Sequence, residues 1–239
     1  MASLNNNTSP QIYARTGGIA YLIIIVAGAL GELFIRNTLI VTGDAAATAN
    51  NIAASPLLWR IGIAGDLFMH VCDVVVILAL YTLLKPVNKN LALLAVLFNL
   101  IQTAVLVANK MNLLMPLFLS GSEDYLKAFS PQQLQALTYI SVKAHGYGFG
   151  VGLIFFGFTC LIEGYLIFKS GFFPRILGVL MQIAGLCYLL NSFAMILSPG
   201  FANLIFPAVL VPPFIGELSL CLWLIVKGVN VSKWNAQLA

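Results

Sequence analysis

Within one long apolar run, Asp66, His70 and Asp73 stand at positions i, i+4 and i+7. On a helix of 3.6 residues per turn the three share one face, within about 40°. A carboxylate one turn from an imidazole selects which ring nitrogen carries the proton. The triplet therefore suits acid–base chemistry, metal ligation or part of a proton relay. Glu32, Lys110, His145 and Glu217 interrupt other apolar runs, together with the amides Asn99, Gln102, Asn109 and Asn191. An ionisable side chain costs at least about 2.5–3.5 kcal/mol at the centre of an inserted helix. Each of these residues is accordingly expected to face a partner, a cavity or water.

The chemistry that is missing is also informative. The sequence contains no His-Glu-x-x-His pair, no phosphate-cradling loop and no G-x-S-x-G elbow. Cys72, Cys160, Cys187 and Cys221 all fall in apolar segments with no metal-like spacing, so they read as buried thiols. No metal site is assigned, and the cofactor content is left unknown. A haem held by His70 and His145 fits poorly, because the two lie about 14 Å apart in depth on straight helices.

The elements that carry these residues follow from composition. Apolar residues make up 60% of the 239 positions and charged residues 8%, against about 25% charge in a soluble domain. Mean hydropathy is +0.96. So few charges cannot build a water-facing surface, and most of the surface must meet lipid. Six apolar segments emerge, at about 16–35, 57–84, 91–119, 137–168, 174–198 and 203–227. Each is long enough to cross a bilayer, which takes about 20 residues. The fold expected is an all-α, polytopic membrane helix bundle forming a single integral membrane domain over 1–239. The first apolar run is longer than a signal-peptide core and is read as a retained helix.

The connections set orientation. Arg15, Lys85, Lys89, Lys169, Arg175, Lys227 and Lys233 collect on one side without an acidic residue. Arg36, Arg60 and Lys127 lie on the other, beside Asp44, Glu123 and Asp124. The positive-inside rule then puts both termini in the cytoplasm and the protein in the cytoplasmic (inner) membrane. The basic residues are scattered singly, which excludes nucleic acid as a partner. The lipid bilayer is the expected environment, and the oligomeric state is left open.

Counting 1.5 Å per residue from the nearest cytoplasmic basic residue gives depths. Glu217 and Asn99 fall at about 15 Å, Asp73 at about 18 Å, His70 at about 22 Å and Glu32 at about 25 Å. Asp66 falls at about 28 Å and Asn109 with Lys110 at about 30 Å, with His145 just beyond. The inner half is nearly bare apart from Glu163 and Gln182. Pro207, Pro212 and Pro213 precede Gly216-Glu217, and consecutive prolines predict a bent or broken helix beside that carboxylate. Gly146, Gly148, Gly150 and Gly152 predict close backbone approach of a neighbouring helix, or a ligand against a bare glycine face.

Nearly end to end, the chain resembles a bacterial family of multi-pass membrane proteins catalogued as domain of unknown function 4386. The resemblance is carried by ARTGGIAYLIIIVAGALGE, by GDAAATANNIAASPLLWRIGIAGDLFMHVCDVVVILALYTLLKPVNKNLALLA, and by AHGYGFGVGLIFFGF, GYLIFKSGFFPRILGVL and GELSLCLWLIVKGV. It implies a helical membrane fold and transfers no catalytic residue. The leading functional expectation rests on the residues themselves. It is a polar cavity in the outer half of the bundle, walled by Glu32, Asp66, His70, Asp73, Lys110, His145 and Glu217. That cavity would bind a small molecule or cation for transport or sensing. The alternatives are an intramembrane enzyme using the Asp66/His70/Asp73 face and a structural or accessory membrane subunit.

Overall fold

The structure is a computed structural model that describes residues 9–238. Residues 1–8 and Ala239, which the sequence reading assigns to the cytoplasmic termini, lie outside the described residues. Among the described residues there is no strand. In chain order the helices are α1 (Pro10–Leu39), α2 (Ala45–Ala54), α3 (Pro56–Leu84), α4 (Lys89–Leu119), α5 (Pro131–Ser170), α6 (Arg175–Leu197), α7 (Pro199–Ile205), α8 (Ala208–Val226) and α9 (Val231–Asn235). Six of them, α1, α3, α4, α5, α6 and α8, are long and apolar enough to cross a membrane.

Local chemistry sets their ends. Asn88 caps α4 by accepting from Leu91 N at 3.0 Å, and Asp44 caps α2 by accepting from Ala47 N at 2.8 Å. Ser130 and Gln133 form a reciprocal capping box at the start of α5, with Pro131 in the first turn. Gly171 ends α5 at φ 70°, a left-handed conformation that a side chain disfavours. Very short turns join α3 to α4 and α5 to α6, so this face of the bundle is called the short-loop end. The opposite, long-loop end holds α2 and the 120–130 connection.

The spanning helices close a ring. Each packs on the next in sequence, α1 on α3, then α4, α5, α6 and α8, and α8 returns to α1. Lipid removes the hydrophobic drive for helices to associate, so contact must come from close fit. Glycines supply it most clearly between α5 and α6. A Cβ on Gly178 would sit 2.5 Å from Gly164 O and 2.6 Å from Phe168 N. One apolar cluster, including Leu83, Leu84, Leu166, Ile167, Phe172 and Val229, fills the short-loop end. A second, including Ile52, Trp59, Ile63, Leu113 and Val142, fills the long-loop end. Glu163 and Glu217 lie among residues of the first cluster, such as Leu166 and Tyr21.

Two local expectations change. Pro212 and Pro213 sit in the first α-helical turn of α8, after a short 3-10 turn over Ala208–Leu210. There a missing N–H costs little; the expected break of the 203–227 run falls at Phe206–Leu210, around Pro207, and Glu217 lies in the regular helix that follows it. In α1 a π-helical turn over Gly31–Arg36 carries the helix on to Leu39. Arg36 thus belongs to a spanning helix, whereas the sequence reading places it in a loop.

Candidate functional site

The seven residues selected from the sequence divide among distinct polar groups. At the long-loop end, Asp66 is 2% exposed and is shared by two cations. Arg36 Nη1 donates to Asp66 Oδ2 at 3.0 Å and to Oδ1 at 3.2 Å, while Lys110 Nζ donates to Oδ2 at 2.8 Å. Arg36 Nε also donates to the exposed Glu32 Oε2 at 2.6 Å. Backbone irregularities aim both cations. The π turn swings Arg36 inward over Gly31, where a Cβ would lie 3.3 Å from Nη2. Lys110 sits at the break between the two straight parts of α4. Two positive and two negative groups thus tie α1, α3 and α4 together with no net charge.

Both histidines border this network. Asn109, next to Lys110, donates to His145 O at 2.8 Å and approaches His145 Nδ1 at 3.0 Å. Nδ1 then accepts, which leaves the ring proton on Nε2. His145 is therefore level with Asn109, although counting along α5 places it farther out. The reason is length: 40 residues make a helix of about 60 Å, twice the hydrocarbon thickness, which must tilt or project. Gly148 makes the contact possible, since a Cβ there would overlap Asn109 Oδ1. Gly152 receives Leu106 and Gly150 receives Met195, so the glycine run seats α4 on one side and α6 on the other. His70 is buried one turn from Asp66, and its Nε2 has no hydrogen-bond partner.

Farther along α3, half-buried Asp73 meets a different surface of α4. Thr103 Oγ1 donates to Asp73 Oδ2, and Asn99 Nδ2 donates to Asp73 Oδ1 at 3.4 Å and to Gln102 Oε1 at 3.3 Å. Across the ring, Glu217 on α8 accepts from Tyr21 of α1 at 2.9 Å and from Tyr188 of α6. Sequence reasoning missed both tyrosines, because a tyrosine in an apolar run reads as packing or an interfacial residue. It also set Glu163 apart in a nearly bare inner half. Glu163 is 4% exposed and makes no hydrogen bond or ion pair with any described residue. Its neighbours between α3, α4 and α5 are mostly apolar, including Ile77, Leu80, Ala92 and Leu166, and they leave no space for a water.

Glu217 and Asp66 are therefore not brought together, and the outer carboxylates are neutralised by their own neighbours. The gap beside Arg36, Trp59 and Leu113 has room for about one water. Asp73, Glu163 and Glu217 differ in kind. They come from three helices and have no basic residue within ion-pair distance among the described residues. Among those residues no three His, Cys, Asp or Glu side chains converge with the geometry to hold a metal ion.

Fold and polar interior together define a polytopic helical membrane protein with a balanced ion network at one end and unbalanced carboxyl groups deeper in. The chain belongs to the family described as "Domain of unknown function (DUF4386)", which matches residues 16–228. It is also 29% identical over 171 residues to a protein of Archaeoglobus fulgidus named "Uncharacterized protein", covering 72% of this chain and 86% of the relative. No solved structure matches the chain.

Proposed function

We propose that this protein binds a small cation, or a small molecule bearing one, inside its helix ring, and transports or senses it. One observation carries the reading: Asp73, Glu163 and Glu217 lie within spanning helices without a cationic partner. Ionised carboxylates in a low-dielectric interior require compensating charge, supplied by bound protons or by a bound cation. The binding region proposed from the sequence is thereby re-centred. Asp73 and Glu217 stay in it and Glu163 joins. Glu32, Asp66 and Lys110 serve to lock α1, α3 and α4 together, with His70 and His145 at the border. The proposal keeps one membrane domain in the cytoplasmic membrane, with both termini cytoplasmic on the strength of the basic short loops.

A second reading, an intramembrane enzyme on the Asp66/His70/Asp73 face, has one observation in its favour, the unpartnered Nε2 of His70. Against it, Asp66 is held by Arg36 and Lys110, and Asp73 is held by α4. The test is reconstitution into proteoliposomes with electrical recording of charge movement on rapid exchange of protons, alkali cations or organic cations. A response in wild type that is lost in Glu217→Gln supports the proposal. Absence of charge movement together with absence of ligand-induced stabilisation across these classes refutes it.

A further inference from the structure

We infer that Glu163 is a proton-binding site, whose carboxyl holds a proton in the closed ring and exchanges it with the short-loop end. The inference rests on the cation-binding reading above and names the bound cation as the proton.

Burial without partners leads there. Glu163 is 4% exposed and lies inside the spanning helix α5. An ionised carboxylate only accepts hydrogen bonds, so both its oxygens need donors. The candidate donors on α5 and α6 are committed to backbone. Thr159, one turn earlier on α5, donates its hydroxyl to Phe155 O at 3.2 Å and to Ala95 O at 3.4 Å. Gln182, packed on Gly164 from α6, donates to Gly178 O at 3.3 Å. Tyr81 is the one other polar side chain around the carboxyl, which otherwise meets apolar residues such as Ile77, Ala95 and Leu166.

Space then selects the cation. The side chains around Glu163 leave no room for a water, and a metal ion with its shell of oxygen ligands needs more than that. A proton needs no cavity. It forms an O–H bond to one carboxyl oxygen and removes the charge, and that single O–H needs one acceptor, which the second lone pair of a helix carbonyl supplies. A bare carboxylate in an apolar interior is far costlier. The surrounding elements offer no base instead. α3 contributes Tyr81 and, two turns deeper, Asp73, while α4 presents Ala92 and Ala95. Cys160 lies on α5 itself, and Glu217 of α8 is engaged by Tyr21 and Tyr188.

The route in is short. Glu163 stands six residues before the exposed Lys169, about 9 Å along α5. Half-buried Tyr81 lines the same space, and its ring lies 6.0 Å from Nζ of the exposed Lys85. A phenol both donates and accepts, so Tyr81 can take a proton from water at the short-loop face while giving its own to a Glu163 oxygen. Release runs the same steps backwards.

The experiment is infrared difference spectroscopy on the full-length protein in lipid nanodiscs. The difference between wild type and Glu163→Gln at neutral pH should contain the carbonyl band of a protonated carboxylic acid, and deuterated buffer should shift that band. Tyr81→Phe should keep the band and slow its deuterium shift about tenfold or more. Glu123→Gln, in an exposed connection, should leave the band unchanged. If Glu163→Gln does not fold, Glu163→Asp decides, since it keeps the carboxyl but moves it by one methylene and should displace the same band. A difference that contains a carboxylate band in place of the acid band overturns the site. Charge movement carried by alkali or organic cations would then still support the broader reading. An acid band that deuterium does not shift also overturns the site, because its proton is not exchanged. An unchanged rate in Tyr81→Phe overturns the route from the short-loop end. If the band behaves as expected while no class of cation moves charge or stabilises the protein, the site stands and the transport-or-sensing reading falls.

Discussion

Replacing Asp66 by Asn keeps the side-chain volume and removes the charge on which three helices converge. Lys110, with its side chain 6% exposed, then loses its one carboxylate partner. Removing one member of a buried ion pair costs about 3–5 kcal/mol, most of it the cost of the stranded charge. Arg36 suffers less, because its side chain is 16% exposed and it keeps Glu32 at 2.6 Å. Lys110→Met should be milder, about 1–2 kcal/mol, since Asp66 retains both bonds from Arg36. The double variant Asp66→Asn/Lys110→Met should also cost only about 1–2 kcal/mol, because no cation is then left without a carboxylate. The cycle thus predicts a coupling of about 2 kcal/mol or more, with the double variant milder than Asp66→Asn alone. Reversible unfolding in mixed micelles measures all four proteins. The native thiols provide the probe, since Cys72, Cys160 and Cys221 are buried and Cys187 is half-buried. An Asp66→Asn cost below about 1 kcal/mol, with a double variant no milder, would refute the reasoning.

Three further outcomes are expected. Gly178→Ala should separate α5 from α6, because the added carbon meets backbone at 2.5 Å and 2.6 Å; the expected cost is about 2 kcal/mol or more, read as lost monodisperse protein. Trp59→Phe removes the bond from Nε1 to Leu113 O at 2.7 Å in a buried site, and should lower stability by about 1–3 kcal/mol in the same unfolding assay. For topology, an impermeant maleimide should label Ser122→Cys in intact cells and Asn88→Cys only after the membrane is opened, as the positive-inside rule requires. The reverse pattern would invert the proposed orientation.

The spanning helices were legible because the property that defines them is local. A run of about 20 apolar residues needs no partner to be recognised, and the caps Asn88 and Ser130 act on backbone a few residues away. Pairing was not legible, because it depends on how helices rotate and tilt. Asp66 stands out by its cost in hydrocarbon, but its partner Arg36 reads as a loop residue, since nothing in GELFIR announces a π turn. Counting residues treats a 40-residue helix as upright and so puts His145 too far out. Glu217 was tied to prolines nearby in sequence, while its actual contacts, Tyr21 and Tyr188, lie on two other helices. Glu163 carries a usable signal, a carboxyl inside an apolar run, but its relation to the other carboxyls depends on helix packing that the run itself does not encode.

The contrast between the two polar regions bears on mechanism more than either region alone. Arg36 and Lys110 against Asp66 and Glu32 sum to zero, so that network gains nothing from an added ion and is suited to holding helices in place. Asp73, Glu163 and Glu217 sum to three negative charges when ionised, with no basic group bonded to them among the described residues. Like charges held in a low-dielectric interior repel one another. Under the proposed function each added positive charge would favour the folded ring, and the carboxyls would compete for the same few protons or cations. Such competition is the physical requirement for coupling one ion to another. A ring in which binding at Asp73 changes occupancy at Glu217 would move or sense ions jointly. A ring in which the three sites titrate independently would be a helix bundle carrying three unrelated acids. Measuring affinity for the bound cation in Glu217→Gln against wild type separates the two, with a shift of about fivefold or more expected for coupling.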